Sequence, residues 1–379
     1  MKTLKWLKNA AITVVVAATA LVACQKDKKG TGASNGSGYD RKAMLTNYAD
    51  NYIMPGYTEE VAAVAAMKAA IDAFVSQPDV TKLATARQKW LEAYQGWQKI
   101  AMFEIGPAEG SSLLQFVNTH PCTPSKINDY INTSQYNLAS IGAVDAQGFP
   151  ALDYLLNGIA ATDAAIVDLY KLNPTAVKHG SYLAAVSDYL VLLISNVKQQ
   201  WTGDYRNTFI NATGTDAGSS TSKLVNSFVH YYERYLRSGK IGLPVGAMTG
   251  IAKPELMECY YSPANSRGMA DIGLNAMIKI FKGEGLNNTI AGPGMYQYMA
   301  TLGNKDQSGT LMADVIVNEM TGAATAVKGL DANLKNEFTG NRTQVLQAYQ
   351  QLQEVVPLIK VDMVSAMGIS ITYVDNDGD

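Results

Sequence analysis

The recurrence of large apolar residues at three- and four-residue intervals constrains this chain more than any other feature. Leu83, Ala86, Trp90, Tyr94, Trp97 and Ala101 follow that rhythm, as do Leu183, Val186, Leu190, Ile194, Val197 and Trp201. Leu224, Phe228, Tyr231 and Tyr235 form a shorter series, and Val345, Tyr349, Leu352, Val356, Ile359, Met363 and Ala366 the clearest. Side chains spaced this way stack on one face of a helix, and that face must be buried. Pro78-Asp79 supplies a stop and then an N-cap for the first series. Pro357 should kink the last helix or restart it, and Pro55-Gly56 should interrupt a helical stretch over 40–75. The alternating Gly368-Ile-Ser-Ile-Thr-Tyr-Val374 is the one strand-like run, and a single short run makes no sheet. The fold class is therefore all-α.

Amphipathic helices of this length bury their stripes against one another, which makes helical bundles the expected architecture. About 340 residues follow Tyr39, enough for two ordinary domains. Gly158, Asn173-Pro174 and His179-Gly180 punctuate the pattern, so the expected domains are 39–160 and 161–374. The connections 106–124, 241–253, 260–267 and 282–293 are expected to be long and non-helical, and segments of that kind are often functional.

The ends bear on location. Lys2, Lys5 and Lys8 precede an apolar run from Ala10 to Val22. That run is about 20 Å long as a helix, short of a roughly 30 Å hydrocarbon layer, and reads as a signal peptide over 1–23. Leu21-Val22-Ala23-Cys24 resembles the lipobox of bacterial lipoproteins, which implies cleavage before Cys24 and acylation of its sulfur. Residues 24–38, rich in Lys, Gly, Ser and Asn, suit a tether from a membrane to a folded body. The expected location is the cell envelope, lipid-anchored to the outer membrane. No later stretch is expected to span a bilayer. The full chain has 31 Lys+Arg against 33 Asp+Glu, and loss of Lys2, Lys5 and Lys8 leaves 28 against 33. With no long basic block either, nucleic acid is not an expected partner. Cys122 and Cys259 remain after Cys24, and their spacing does not dictate a disulfide. Asp375-Asn-Asp-Gly-Asp379 opens like a calcium loop but ends before a closing Glu, so 375–379 reads as an acidic tail.

Five pieces, in order, resemble the imelysin-like family, also called the M75 peptidases. They are Trp90 and Trp97 followed by Glu104-Ile-Gly-Pro107; Gly148-Phe-Pro-Ala-Leu-Asp-Tyr-Leu-Leu156; Lys240-Ile-Gly-Leu-Pro-Val-Gly246; Ser262-Pro-Ala-Asn-Ser-Arg267; and the stretch 362–368. The resemblance implies a secreted or lipid-anchored helical protein with a functional site between two bundle-like domains and an association with iron uptake. The family's Gly-x-His-x-x-Glu motif sets an imidazole and a carboxylate on one helix face, where both can reach one metal ion. Here the matching stretch is Gly148-Phe-Pro-Ala-Leu-Asp153, with Pro150 in the His place and Asp153 in the Glu place. Proline offers no ligand atom and favours a first helical turn, so Asp153 reads first as an acid completing a helix dipole.

His230 and Glu233, also three apart, read plainly as a helix surface laced with Arg234 and Arg237. The functional alternative is a metal set of Asp153, Glu233 and His230, holding iron or calcium. His120 and His179 read as incidental surface histidines, and Trp90 and Trp97 as core. HExxH and phosphate-binding loops are absent from the sequence.

The resemblance implies a cleft built from Trp97, Glu104, Gly148, Pro150, Asp153, Glu233, Arg237, Lys240, Ser262, Ser266 and Arg267. The expected role is a non-catalytic, monomeric binding protein contributing to iron or haem uptake, with an iron or haem transport system as partner. The alternatives are an M75-type metallopeptidase and a structural module of an outer-membrane assembly.

Overall fold

The computed structural model describes residues 38–287 and 292–373. The signal peptide, Cys24, most of the tether and the acidic tail lie outside the described residues. The framework consists of α1 (Met54–Ser76), α2 (Val80–Ile100), α3 (Gly148–Asp153), α4 (Ala176–Gln200), α5 (Ser220–His230), α6 (Ser266–Lys282), α7 (Met312–Lys328) and α8 (Arg342–Pro357), joined by shorter helical pieces. There is no strand among the described residues, and Lys305 and Leu311 form an isolated antiparallel bridge.

The local signals act as expected at several points. Asp79 caps α2 by accepting a hydrogen bond from the Lys82 N–H at 2.7 Å. Leu83, Ala86, Trp90, Tyr94 and Trp97 are all buried, and each large side chain removed from water stabilises the fold by about 2–3 kcal/mol. Pro357 ends α8, and a π-helical segment, Leu358–Met363, continues from it. Pro55-Gly56 does not interrupt its helix. Pro55 sits in the first turn of α1, where its missing N–H is harmless, and the irregularity falls earlier, in the π-helical turn Ala49–Ile53. The connection 106–124 is also largely helical, containing Pro107–Ser111 and Leu113–Asn118.

α1 packs on α2 and on α4, while α7 packs on both α6 and α8. α6 also packs on α2, and one continuous core runs from Met44 to Ile369. The first grouping thus draws on α4, which lies beyond residue 160. The run 176–211 is, against expectation, long and apolar enough to cross a membrane. Its place in the bundle accounts for that composition: Tyr182, Leu183, Val186, Leu190, Ile194 and Val197 are buried in the core.

Candidate functional site

α3 is fixed from below by α2. The Trp90 indole N–H donates to the Phe149 carbonyl at 3.1 Å, and the Tyr94 and Phe149 rings stack with centroids 4.6 Å apart. Gly148 starts the helix at φ +71°, a region that disfavours any Cβ. A Cβ there would also lie 2.2 Å from the Val117 carbonyl oxygen. The Gly148-Phe-Pro-Ala-Leu-Asp153 stretch is therefore held in one orientation, with Pro150 and Asp153 facing a cavity of about 220 Å³. His120, Pro121, Cys122 and Pro124 line it from one segment; Glu255, Met257, Cys259, Tyr260 and Tyr261 line it from another.

Asp153 is not a helix-start cap. It closes α3, is 2% exposed, and reaches across to the 259–262 segment. One carboxylate oxygen accepts the Tyr261 N–H at 3.0 Å and the other accepts the Asn157 amide at 3.0 Å. Burial pushes its pKa up to about 6 against the lowering effect of the Ser262 hydroxyl and these donors. Cys122 and Cys259 are both free and buried. Burial, with the Asp153 charge added to it, raises the Cys122 thiol to about 12 and the Cys259 thiol well above its ordinary value. Both are thus neutral thiols at neutral pH, lacking the thiolate that attacks or binds metal.

Behind the cavity lies a buried ion pair. Lys240, 4% exposed, bonds Glu258, 2% exposed, and also donates to the Gln98 side-chain oxygen at 2.7 Å. The second Glu258 oxygen accepts from Tyr94 at 2.8 Å, Asn118 at 2.7 Å and Gln98 at 3.2 Å. Burial pushes the Glu258 carboxyl up, but Lys240, His120 and the Asn118 amide overcome it and hold the pKa at about 2. His120, far from being incidental, lines the cavity, and its Nδ1 sits 3.1 Å from the Leu256 carbonyl oxygen. Burial lowers its pKa despite the pull of Glu258, so the ring is neutral at neutral pH. His179 is likewise buried, and its Nδ1 lies 3.0 Å from the Thr175 carbonyl oxygen.

The other sequence candidates lie in separate settings. Glu233 and Arg237 are buried, not surface residues. Glu233 pairs with Lys360 at 3.0 Å and Arg237 at 3.8 Å and accepts from the Tyr373 hydroxyl at 2.9 Å; Arg237 also bonds Gln353. His230 stacks on Tyr373 with centroids 4.5 Å apart, and burial together with Arg234 lowers its pKa to about 4. Glu233 and His230 thus share Tyr373 as a partner, whereas Asp153 is engaged by Tyr261 and Asn157. No group of three His, Cys, Asp or Glu among the described residues is arranged to hold a metal.

Ser266 donates to the Pro263 carbonyl oxygen at 2.7 Å and accepts the Leu334 N–H at 3.0 Å, which ties the start of α6 to the 334 region; the Arg267 guanidinium reaches the Lys328 carbonyl oxygen at 3.4 Å. Glu104 accepts the Leu114 N–H at 3.0 Å, and Trp97 is core. From the expected cleft, the cavity brings together only Pro150 and Asp153; Gly148 starts the helix that carries them, and Lys240 pairs with Glu258 between the lining residues Met257 and Cys259. Sequence reasoning missed Tyr94, Gln98, Asn118, His120, Cys122, Glu258, Cys259 and Tyr261. The available signal was position: Glu258 to Tyr261 immediately precede the Ser262–Arg267 piece.

Comparison with known proteins gives a consistent family. The model of the family Imelysin (Peptidase_M75) matches residues 53–358. A protein called iron-regulated protein A from Synechococcus elongatus is 23% identical over 231 residues, which cover 58% of this chain and 60% of that relative. The structure of an imelysin-like protein from Psychrobacter arcticum superposes with a TM-score of 0.68 at 19% identity, over 88% of this chain and 97% of that one. A protein described as an iron-regulated protein A precursor from Parabacteroides distasonis superposes with a TM-score of 0.67 at 16% identity, over 87% and 96%.

Proposed function

The chain belongs to the imelysin family, and within it we propose that this member is a non-catalytic binding protein of the cell envelope that contributes to iron acquisition. The observation that carries this reading is the state of the Asp153 cavity. Pro150 stands where the family motif has its imidazole, and both Asp153 oxygens already accept hydrogen bonds from the protein. The thiols are protonated and the Lys240–Glu258 pair is neutralised internally. The residues present therefore do not fit the motif's metal pair. At neutral pH the wall offers two acids, Asp153 and Glu255, with neutral thiols, phenols and an imidazole, a setting for holding a small neutral or cationic group.

Ligand pockets for drug-sized molecules run from about 300 Å³ upward. A cavity of about 220 Å³ favours a smaller ligand, or a side chain of a partner in an iron or haem transport system, over an enclosed haem. The relatives called iron-regulated protein A support the iron connection. The basic, apolar leader ending at Cys24 supports export and lipid anchoring, with the outer membrane as destination.

Two assays test this together. Loss of the gene should delay growth in iron-chelated medium, and the wild-type gene should restore it. The purified chain should not cleave peptides when supplied with zinc, iron or calcium. Unchanged growth under iron limitation would remove the physiological role. Metal-dependent cleavage lost in both Asp153→Ala and Glu233→Ala would establish the peptidase instead.

A further inference from the structure

A second cavity, of about 260 Å³, lies between α1 and α2 and is closed by Ile272 of α6 and by Leu286. We propose that it is a binding site for a small organic cation, an alkylammonium or alkylguanidinium compound, anchored by Glu60. This goes beyond the reading of the Asp153 cavity and does not depend on it.

Glu60 is 1% exposed, lines this cavity, and neither of its carboxylate oxygens has a hydrogen-bond partner. Leaving a buried polar group unsatisfied is costly, more so for a charged one. Elsewhere in the described core the deeply buried acids Asp153, Glu233 and Glu258 all have donors. The backbone accommodates Glu60 specifically. A Cβ at Gly96 would lie 2.3 Å from a Glu60 carboxylate oxygen, so the absence of that carbon lets the acid lie flush against α2.

The surroundings select the ligand. Glu59 and Glu92 line the cavity with Glu60, and Lys99 is the basic residue in its wall. At the mouth Glu59 accepts from the Asn287 amide at 2.8 Å and Glu92 pairs with Lys89 at 2.7 Å, which leaves Glu60 as the unmatched acid. Burial pushes the Glu60 carboxyl up, and Lys99 only partly opposes this, so a cation brought to it restores the ionised form. Ala63, Ile100, Ile272 and Leu286 give an apolar wall for an alkyl body.

A divalent metal fits less well. Calcium takes six to eight oxygen ligands, whereas no group of three His, Cys, Asp or Glu among the described residues is placed to hold a metal ion. An ammonium or guanidinium can donate to the two Glu60 oxygens, with Glu59, Glu92 and Gln95 also in the wall, and charge-assisted pairs of this kind are the strong ones.

The test titrates the full chain with n-butylammonium, n-butylguanidinium and the neutral control n-butanol, by calorimetry and by amide NMR. At least one of the two cations should bind in equimolar ratio with a dissociation constant of about 1 mM or tighter, shifting the Gly56 and Gly96 amides. n-Butanol should bind at least about tenfold more weakly, and Glu60→Gln, which keeps the shape and removes the charge, should weaken cation binding by about as much. Gly96→Ala should block the site from the backbone side. The proposal is overturned if neither cation saturates, if n-butanol binds equally well, if Glu60→Gln retains full affinity, or if the shifted amides lie around Asp153.

Discussion

Replacing Lys240 by Met strands a carboxylate in the protein interior. Glu258 is 2% exposed, and Lys240 is the ammonium that bonds it directly. Breaking a buried pair from one side costs about 3–5 kcal/mol, because the remaining charge keeps its desolvation penalty without its partner. Tyr94, Asn118 and Gln98 still donate to Glu258 in the variant, which places the loss near the lower end, about 3 kcal/mol. Holding the Glu258 pKa at about 2 instead of the ordinary 4.5 stabilises the folded, ionised form by about 3 kcal/mol.

The sign follows from the lowered pKa. The contribution is fully present above about 4.5 and is lost as pH falls through about 2. Urea unfolding followed by tryptophan fluorescence should therefore show a gap of about 3 kcal/mol between wild type and Lys240→Met at pH 7, shrinking as pH falls from 4.5 toward 2. The double variant Lys240→Met/Glu258→Gln should recover part of the loss. A gap below about 1 kcal/mol at pH 7, or strict additivity in the double variant, would refute the reasoning.

Three further outcomes follow. Burial holds the Glu104 carboxyl at about 8 against the Leu114 N–H, so ionisation in the unfolded chain erodes stability as pH rises from 4.5 to 8; Glu104→Gln should flatten that slope by up to about 1.4 kcal/mol per pH unit, read from urea midpoints across the range. Gly148→Ala meets both the φ of +71° and the Val117 carbonyl oxygen, and should destabilise by about 2–4 kcal/mol in thermal or urea unfolding. Cys122 and Cys259, buried with raised pKa values, should resist iodoacetamide at pH 8 in the native protein and react fully once unfolded, as counted by mass spectrometry.

The helices were legible because their signal is local and repeated. The stripe from Leu83 to Trp97 and the cap at Asp79 predict α2 with no knowledge of its neighbours. Pro55 misled because proline both breaks helices and begins them, and only the chain before it decides which. The cavity was half legible. Pro150 and Asp153 were marked by a motif on one helix, but their partners come from residues 118–124 and 255–262, brought near by tertiary packing. His120, Cys122 and Cys259 carry no spacing pattern that links them. Glu233 looked like a surface residue because its neighbours in sequence are charged; Lys360 and Tyr373, more than a hundred residues away, are what allow it to be buried. Glu60 gave no sign at all, since Glu59-Glu60 on a helix reads as solvated surface.

The most direct test is metal analysis of the protein purified after export from its own host, beside Asp153→Ala prepared in the same way. With Pro150 lacking a donor and Asp153 already bonded to Tyr261 and Asn157, the expected result is no equimolar iron or zinc in the wild type that disappears in the variant. An equimolar transition metal retained through purification and lost on replacing Asp153 would contradict the account at its base.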